Sequence, residues 1–116
     1  RDMLHELIYN LCDNGIRYNH PGGKVFVTIK SPVEQNGVNG VNLIVEDNGI
    51  GIDEKHLSRI FERFYRVDKS RSKQTGGTGL GLAIVKHICE QYNGAVSIQS
   101  TLGKGTTITA FLPYVQ

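Results

Sequence analysis

A helix pattern followed by two strand patterns occurs twice along the sequence, and this order restricts the chain to a small set of folds. Apolar residues recur at helical spacing in residues 2–18 and 80–92, and a shorter helix is expected from Asp53 to Phe61. Four segments alternate apolar and polar residues as strands do: residues 24–30, 41–46, 95–101 and 106–113. We therefore predict an α+β domain, a two-layer α/β sandwich in which helices cover one face of a mixed, mostly antiparallel sheet.

Charge and composition exclude several classes of protein. The 116 residues carry 13 Lys and Arg against 11 Asp and Glu, a net charge of +2 that is too mild and too evenly spread for a nucleic-acid or membrane-surface protein. No apolar run approaches the ~20 residues that span a bilayer. Cys12 and Cys89 both lie in apolar helical patterns, which favours buried, reduced thiols over a disulfide framework.

In the first strand pattern, Val25, Val27 and Ile29 are expected to face the core.

The first helix carries a polar stripe beside its apolar one. Glu6, Asn10 and Asn14 repeat every four residues and Arg17 follows, so one edge presents a carboxylate, two amides and a guanidinium. Asparagine is a mediocre helix former, and two of them in mid-helix indicate chemistry rather than structure. The side-chain carbonyl of Asn10 suits Mg²⁺, and Arg17 is positioned to meet phosphates.

Two loops are rich in glycine. One group of glycines lies before and inside the start of the second long helix: Gly76, Gly77, Gly79 and Gly81. The first N–H groups of a helix lack internal partners, so this arrangement suits a polyphosphate. The other loop, residues 47–52, begins with Asp47, whose carboxylate can accept a hydrogen bond from an amino group such as that of adenine. Residues 67–79 have no periodicity and are expected to form a mobile, basic lid.

Four motifs, in this order, resemble those of sensor histidine kinases. The N box corresponds to LHELIYNLCDNGIRYN, the first glycine box to DNGIGID, the F box to IFERFYRVD and the second glycine box to GGTGLGLAIVK. The resemblance covers nearly the whole chain and extends to the closing GKGTTITAFLP. It implies that residues 1–116 form the catalytic and ATP-binding domain of such a kinase, with the Bergerat ATP-binding fold.

The resemblance also implies roles for individual residues. Asn10 would be the Mg²⁺ ligand, and Arg17 and Arg66 would be further catalytic residues at the phosphates. Asp47 would bind the adenine amino group and Tyr18 would lie against the base. The other nucleotide-binding positions would be Asn14, Gly49, Gly51, Ile52, Gly77, Thr78, Gly79, Leu80, Gly81 and Thr106.

The function that this resemblance implies is phosphotransfer in two-component signalling. The domain would bind Mg-ATP and donate the γ-phosphoryl group to a histidine on the dimerisation domain of its parent kinase, with a cognate response regulator downstream. It would be the cytoplasmic domain of a membrane-bound bacterial sensor kinase, without nucleic-acid partners or direct membrane contact. The dimerisation helices and a strand at the N-terminal edge are expected outside residues 1–116. Phe61 and Phe64 would anchor the lid to the domain.

Two departures from the family and three alternative functions accompany this interpretation. The family often has Ala at the position of Gly15 and Lys at that of Arg17. A Bergerat-fold ATPase, similar to those of type II topoisomerases or mismatch-repair proteins, would use Glu6 as a general base. In a kinase, Glu6 would instead orient water on Mg²⁺. The remaining alternatives are a non-catalytic nucleotide-sensing or docking module and a serine kinase that acts on a protein partner.

Overall fold

Four strands and two α-helices make up the part of the chain that the computed structural model describes, residues 2–65 and 80–114. In chain order the elements are α1 (Met3–Arg17), β1 (Val25–Gln35), β2 (Val38–Asp47), a 3-10 helix (Glu54–His56), α2 (Gly81–Gln91), β3 (Ala95–Thr101) and β4 (Gly105–Pro113). The strands lie in the order β1-β2-β4-β3, and every described pair is antiparallel, whereas a mixed sheet was expected. Helices α1 and α2 pack on each other and on the sheet, which confirms the two-layer α+β sandwich.

Helix α1 begins and ends where its sequence predicts. The Asp2 carboxylate accepts a 2.9 Å hydrogen bond from the N–H of His5 and so satisfies one of the free donors of the first turn. Leu7 and Leu11, one turn apart, are fully buried. At the other end, the N–H of Tyr18 bonds back to the carbonyl of Asn14. The buried leucines therefore fix the rotation of α1 and keep its polar stripe on the flank of the core.

Helix α2 ends at a residue in the left-handed conformation. Asn93 has a φ of 62°, and the N–H of Gly94 donates a 2.7 Å hydrogen bond to the carbonyl of Cys89. A Cβ on Gly94 would lie 2.0 Å from the carbonyl oxygen of Phe111, so a side chain at this position would push β3 away from β4. The helix predicted over residues 80–92 therefore ends within one residue of its expected end.

Strand β1 differs from its prediction in length and in burial. It extends to Gln35 and turns at Asn36-Gly37 into β2, where a longer connection was expected. Val25 packs against the core, but Val27 and Ile29, also expected there, are 51% and 67% exposed. The reason is that β1 is one of the two edge strands of the described sheet and lies mostly beyond the area that α1 and α2 cover.

The core lies between the sheet and the helices. Its buried apolar residues are Leu7, Leu11, Leu43, Val45, Ile60, Leu82, Val85, Ile88, Cys89, Ile108 and Ala110. Burial raises the pKa of the Cys89 thiol to about 11, and the prediction of a buried, reduced thiol is confirmed there. Cys12 is also a free thiol but only partly buried, because it lies at the flank of the face that carries Leu11. Within residues 2–65 and 80–114, no helix is long and apolar enough to cross a membrane.

The predicted helix over residues 53–61 is wrong. Asp53 does cap a helical turn, since its carboxylate accepts a 3.1 Å hydrogen bond from the N–H of Lys55. However, the regular part is a 3-10 helix of three residues, and the chain continues to Tyr65 in separate turns closed by bonds between residues three apart. Such turns bring side chains three residues apart onto one side, so the apolar spacing of this segment does not require an α-helix.

Two aromatic residues of the F-box segment pack against the core. Phe61 and Tyr65 pack against the core, whereas Phe64 is 62% exposed and has a φ of 66°. The Tyr65 hydroxyl is hydrogen bonded to the ring of His56, and the Arg59 guanidinium lies 4.7 Å from the centre of the tyrosine ring. Phe61 and Phe64 were expected to anchor the lid of residues 67–79 to the domain. Because the lid lies outside the described residues, that role stays a prediction.

Candidate functional site

Asp47 lies at the end of β2, where two loops meet. Its Oδ1 accepts a 2.8 Å hydrogen bond from the N–H of Gly49. The N–H of Thr106, which is its cross-strand partner on β4, also donates to the carboxylate. Burial raises the pKa of Asp47, and these two hydrogen bonds oppose that increase. Asp47 is therefore a partly buried hydrogen-bond acceptor whose position is fixed by the backbone.

Glycine lets the loop of residues 47–52 contact the turn between β3 and β4. Gly51 has a φ of 73°, and a Cβ on it would lie 2.1 Å from the carbonyl oxygen of Thr101. On the same side of the loop, the N–H of Gly103 donates a 2.7 Å hydrogen bond to the carbonyl of Ile50. The loop and the turn therefore form one continuous wall beside Asp47.

A serine that sequence reasoning missed connects these two loops. The Oγ of Ser100 accepts a 2.8 Å hydrogen bond from the N–H of Ile52, donates one of 2.9 Å to the carbonyl of Gly105, and lies 2.7 Å from Oγ1 of Thr106. Thr106 is buried, with 6% of its surface exposed. No local signal marks Ser100, because it occupies an ordinary place in a strand pattern and only the pairing of β3 with β4 brings it to Thr106.

The end of α1 borders the other side of Asp47. The N–H of Ile50 donates a 3.1 Å hydrogen bond to the carbonyl of Tyr18, and a Cβ on Gly49 would lie 2.5 Å from that same oxygen. A Cβ on Gly15 would lie 3.7 Å from Oδ2 of Asp47. The structure thus brings Tyr18, Gly49 and Asp47 together and adds Gly15, which sequence reasoning had noted only as a departure from the family.

Asn10 faces the first residue of α2. Its Nδ2 donates a 2.8 Å hydrogen bond to the carbonyl of Glu6, which leaves Oδ1 as the group that it presents outward. A Cβ on Gly81 would lie 3.4 Å from this oxygen. The first turn of a helix carries partial positive charge on its N–H groups. A side-chain oxygen and a helix N-terminus therefore lie side by side at this end of the site.

Arg17 is held by a carboxylate one turn earlier in α1. Its Nε lies 2.7 Å from Oδ2 of Asp13, and about a third of each side chain is exposed. The hydrogen bond to Asp13 and its charge raise the pKa of the guanidinium. Asn14, also partly buried, lies on the same helix. Sequence reasoning assigned Arg17 to phosphates without this partner, although the spacing of four residues could have indicated it.

Two further asparagines that sequence reasoning missed tie the loop of residues 47–52 to the segment after α1. Oδ1 of Asn48 accepts a 2.7 Å hydrogen bond from the N–H of Lys24, and the ring of His20 is bonded to the carbonyl of Asn48 at 2.9 Å. Nδ2 of Asn19 donates a 3.1 Å hydrogen bond to the carbonyl of Lys24. Their position just after a strand and a helix was the available signal, because asparagine commonly stabilises such turns.

Some predicted site residues lie outside the described residues: Arg66, Gly77, Thr78 and Gly79. The same holds for the predicted lid over residues 67–79. Leu80 precedes α2 directly. In the described ranges, 2–65 and 80–114, no group of three or more His, Cys, Asp or Glu side chains could hold a metal ion.

Comparison with known proteins gives one family over the whole chain. The family model for histidine kinase-, DNA gyrase B-, and HSP90-like ATPases matches residues 1–116. Sensor histidine kinase RppB of Synechocystis sp. is 46% identical over 111 residues, which are 96% of this chain and 23% of RppB. Sensor histidine kinase WalK of Bacillus subtilis is 41% identical over 114 residues, 98% of this chain and 18% of WalK.

Solved structures share the fold. The mycobacterial sensor histidine kinase MprB matches with a TM-score of 0.81 and 32% sequence identity, over 96% of this chain and 72% of the MprB chain. Full-length ShkA in complex with AMPPNP matches with a TM-score of 0.74 and 28% identity, over 98% of this chain and 22% of ShkA. The topology described above is therefore the ATPase fold that these kinases share.

The chain spans about a fifth of the length of the curated relatives that it matches. The matched part includes the helix with Asn10, the loop with Asp47 and the start of α2, which together form the candidate site. Since the family model covers residues 1–116 and the two relatives match 96% and 98% of this chain, the chain belongs to the family of histidine kinase-, DNA gyrase B- and HSP90-like ATPases and is homologous to the sensor histidine kinases.

Proposed function

We propose that this domain binds Mg-ATP and donates its γ-phosphoryl group to a histidine on the dimerisation domain of a parent sensor kinase. The observation that carries the proposal is the distribution of polar groups along α1. Asp47 lies beside Gly15, and Asn10 lies beside Gly81 at the start of α2. Five residues of helix separate these two points by about 7.5 Å. A hydrogen-bond acceptor suited to a base and a helix N-terminus suited to phosphates therefore lie little more than one turn apart along the axis of α1.

Asp47 would recognise the adenine base. Its carboxylate is partly buried and already accepts hydrogen bonds from Gly49 and Thr106, which hold it in place without using all of its lone pairs. The exocyclic amino group of adenine is a donor and complements this acceptor. Tyr18 and Ile52, both partly buried beside the loop, would supply contacts to the base.

The start of α2 would receive the phosphates. Gly81 has no side chain to obstruct the first turn, and the helix dipole favours an anion there. Arg17, on the flank of α1, would add a full positive charge once it exchanges Asp13 for a phosphate oxygen. Since phosphoryl transfer depends mainly on positioning and charge neutralisation, these groups would act by orienting the triphosphate.

The residues present fit a magnesium ion bound together with the nucleotide. Asn10 presents a carbonyl oxygen, the type of ligand that Mg²⁺ prefers, because its Nδ2 is already used by Glu6. When bound, Mg²⁺ would neutralise charge on the phosphate oxygens. Asn10 itself would hold the ion near the start of α2, and Glu6, partly buried one turn earlier, would orient water there.

The proposed transfer breaks the bond between the γ-phosphorus and its bridging oxygen, which stays on ADP, and forms a bond from phosphorus to an imidazole nitrogen of the acceptor histidine. That histidine and the base that accepts its proton would come from the dimerisation domain. A cognate response regulator would then take the phosphoryl group. We further propose that the parent is a membrane-bound bacterial kinase and that this domain lies in the cytoplasm, where ATP is available.

The first test is calorimetric titration of the chain with ADP and with AMPPNP, each with and without Mg²⁺. We expect saturable binding that Asp47→Asn weakens by at least about tenfold, the value of one hydrogen bond to a charged group. Glu46→Gln is the matched control, because it removes a carboxylate from the adjacent, exposed position of β2. No saturable binding by the folded chain would overturn the proposal.

The second test addresses phosphotransfer. The chain is incubated with γ-labelled ATP and a separate dimerisation domain that carries a phosphoacceptor histidine, and acid-labile phosphate on that domain is measured. We expect label that disappears when the histidine is replaced or when Asn10→Ala is used. ATP binding without transfer to the histidine would retain the nucleotide site and contradict the kinase assignment.

A further inference from the structure

Three polar side chains form one row across the sheet at its end nearest the loops. Asp47 on β2 pairs with Thr106 on β4, and Thr106 pairs with Ser100 on β3. Residues directly opposite each other in antiparallel strands project to the same face, with Cβ atoms about 5 Å apart. The row therefore lies on the face that carries Val45 and Ile108, both in the core.

The hydroxyl of Ser100 has used all of its hydrogen-bonding capacity. A hydroxyl has one hydrogen to donate and two lone pairs to accept with. The carbonyl of Gly105 can only accept, so it takes the hydrogen of Ser100 at 2.9 Å. The N–H of Ile52 can only donate, so it uses one lone pair of Ser100 at 2.8 Å. The 2.7 Å contact with Oγ1 of Thr106 must then use the other lone pair, which means that Thr106 donates.

This assignment determines what Thr106 can offer to anything else. Its only hydroxyl hydrogen points to Ser100, so the rest of its oxygen presents lone pairs. Its backbone N–H is also used, because it donates to Asp47. The Asp47 carboxylate is itself an acceptor. The row consequently presents acceptors from two neighbouring side chains and no side-chain donor.

We infer that Ser100 is a specificity-determining positioning residue, which selects adenine by holding the Thr106 hydroxyl as an acceptor beside Asp47. This inference rests on the proposed nucleotide site. An amino group at position 6 of a purine can donate to both acceptors, whereas a carbonyl oxygen there would face their lone pairs. A base with a carbonyl at position 6 is therefore rejected, because it leaves the buried acceptor groups of the site without hydrogen-bond partners.

Without Ser100, the Thr106 hydroxyl is free to rotate and donate. Ser100→Ala removes the acceptor that fixes it, so a carbonyl at position 6 of the base becomes acceptable as a partner. The purine pair that isolates this effect is ADP and inosine diphosphate, which has a carbonyl in place of the amino group. The quantity to measure by calorimetry is the Kd of inosine diphosphate divided by the Kd of ADP. A general loosening of the fold would weaken the binding of both nucleotides and leave this ratio unchanged.

We expect Ser100→Ala to lower this ratio about tenfold, because the Thr106 hydroxyl can then donate to the base instead of accepting from it. A tenfold change corresponds to the free energy of about one hydrogen bond. Ser100→Thr, which keeps the hydroxyl, should preserve the ratio. Ser97→Ala is the matched control, since this serine lies on the same strand at an exposed position that faces the other side of the sheet. Thermal melting of each variant, followed by circular dichroism, identifies the samples that are folded.

Thr106→Val supplies a second, independent variant. It removes the hydroxyl but retains the bonds of Ser100 to Ile52 and Gly105, so it is expected to fold even if Ser100→Ala does not. It should also lower the ratio. In the Thr106→Val background, adding Ser100→Ala should change the ratio less than about twofold, because the effect of Ser100 passes through the hydroxyl that is no longer present.

The possible results separate this inference from the proposed function. ADP binding by the native chain together with an unchanged ratio in Ser100→Ala or in Thr106→Val would overturn the inference alone. An equal loss of affinity for both nucleotides in Ser100→Ala would show that Ser100 acts only on the backbone, and would overturn it as well. Absence of ADP binding by the folded native chain would overturn the proposed function and this inference with it.

Discussion

Oδ1 of Asn10 lies 3.4 Å from the position that a Cβ on Gly81 would occupy, which joins the flank of α1 to the first turn of α2. That distance is ordinary van der Waals contact, so a methyl group fits at Gly81 when no ligand is bound. Alanine also favours a helix over glycine by up to about 1 kcal/mol. The same methyl group would occupy the space next to the proposed Mg²⁺ ligand.

We therefore predict that Gly81→Ala leaves the free energy of unfolding unchanged or raises it, while the affinity for ADP in the presence of Mg²⁺ falls about tenfold, or about 1.4 kcal/mol. Urea unfolding and calorimetry measure the two quantities. Titration without Mg²⁺ is the internal comparison, because the loss of affinity should then be smaller and limited to what the methyl group costs the phosphates at the first turn of α2. An equal loss with and without Mg²⁺ would contradict the assignment of Asn10.

Asp47→Asn should separate binding from stability. Burial disfavours the ionised carboxylate, and an amide oxygen can still accept from Gly49 and Thr106. We expect the free energy of unfolding at neutral pH to stay within about 1 kcal/mol of the native value, or to rise, although nucleotide affinity is lost. Denaturant unfolding beside calorimetry provides the check, and a loss of both properties would mean that Asp47 is needed for the fold.

The raised pKa of Asp47 predicts a pH dependence of definite sign. The folded chain keeps this proton to higher pH than the unfolded chain does, because burial disfavours the charge. The resulting stabilisation is complete below the unfolded pKa and is lost as the pH rises through the folded pKa. The unfolding free energy of the native chain minus that of Asp47→Asn should therefore decrease as the pH rises from below 3.8, the ordinary pKa of this carboxyl. Urea titrations at several pH values test this, and an increase would contradict it.

Gly51 and Gly22 allow the loss of stability caused by an added side chain to be compared at two glycines with positive φ. Both have positive φ values, 73° and 81°, but a Cβ on Gly51 would lie 2.1 Å from the carbonyl oxygen of Thr101, whereas a Cβ on Gly22 meets nothing within 4 Å. We predict that Gly22→Ala costs about 1 kcal/mol through backbone strain alone and that Gly51→Ala costs at least about 3 kcal/mol. Thermal or urea unfolding measures both, and equal costs would mean that the loop of residues 47–52 moves freely away from the turn after β3.

The two cysteines should differ in reactivity. Cys89 is fully buried with its pKa raised to about 11, so almost none of it is thiolate at neutral pH. Cys12 is partly exposed on α1. We predict that iodoacetamide labels Cys12 of the native chain first, and that Cys89 is labelled only under denaturing conditions. Peptide mass spectrometry over time distinguishes them, and early labelling of Cys89 would show that α2 opens readily.

Local patterns predicted the elements that form the scaffold. The apolar spacing and the ends of α1 and α2 follow from steric rules that act within a few residues. The same rules misjudged residues 53–61, because an apolar spacing of three or four fits both an α-helix and a series of 3-10 turns. Val27 and Ile29 show a second limit, since alternation predicts a strand but does not tell whether anything covers its face.

The candidate site also has residues that could be predicted from the sequence and contacts that could not. Residue type and loop context were enough to mark Asp47 and Asn10 as candidates, because a carboxylate after a strand and an amide in mid-helix are locally conspicuous. The bond of Ser100 to the N–H of Ile52 and the closeness of Asn10 to Gly81 depend on elements that are far apart in the chain. Periodicity and turn chemistry act over a few residues and could be predicted along the chain, whereas the contact of β3 with the loop of residues 47–52 and the packing of α1 on α2 decided which polar atoms meet.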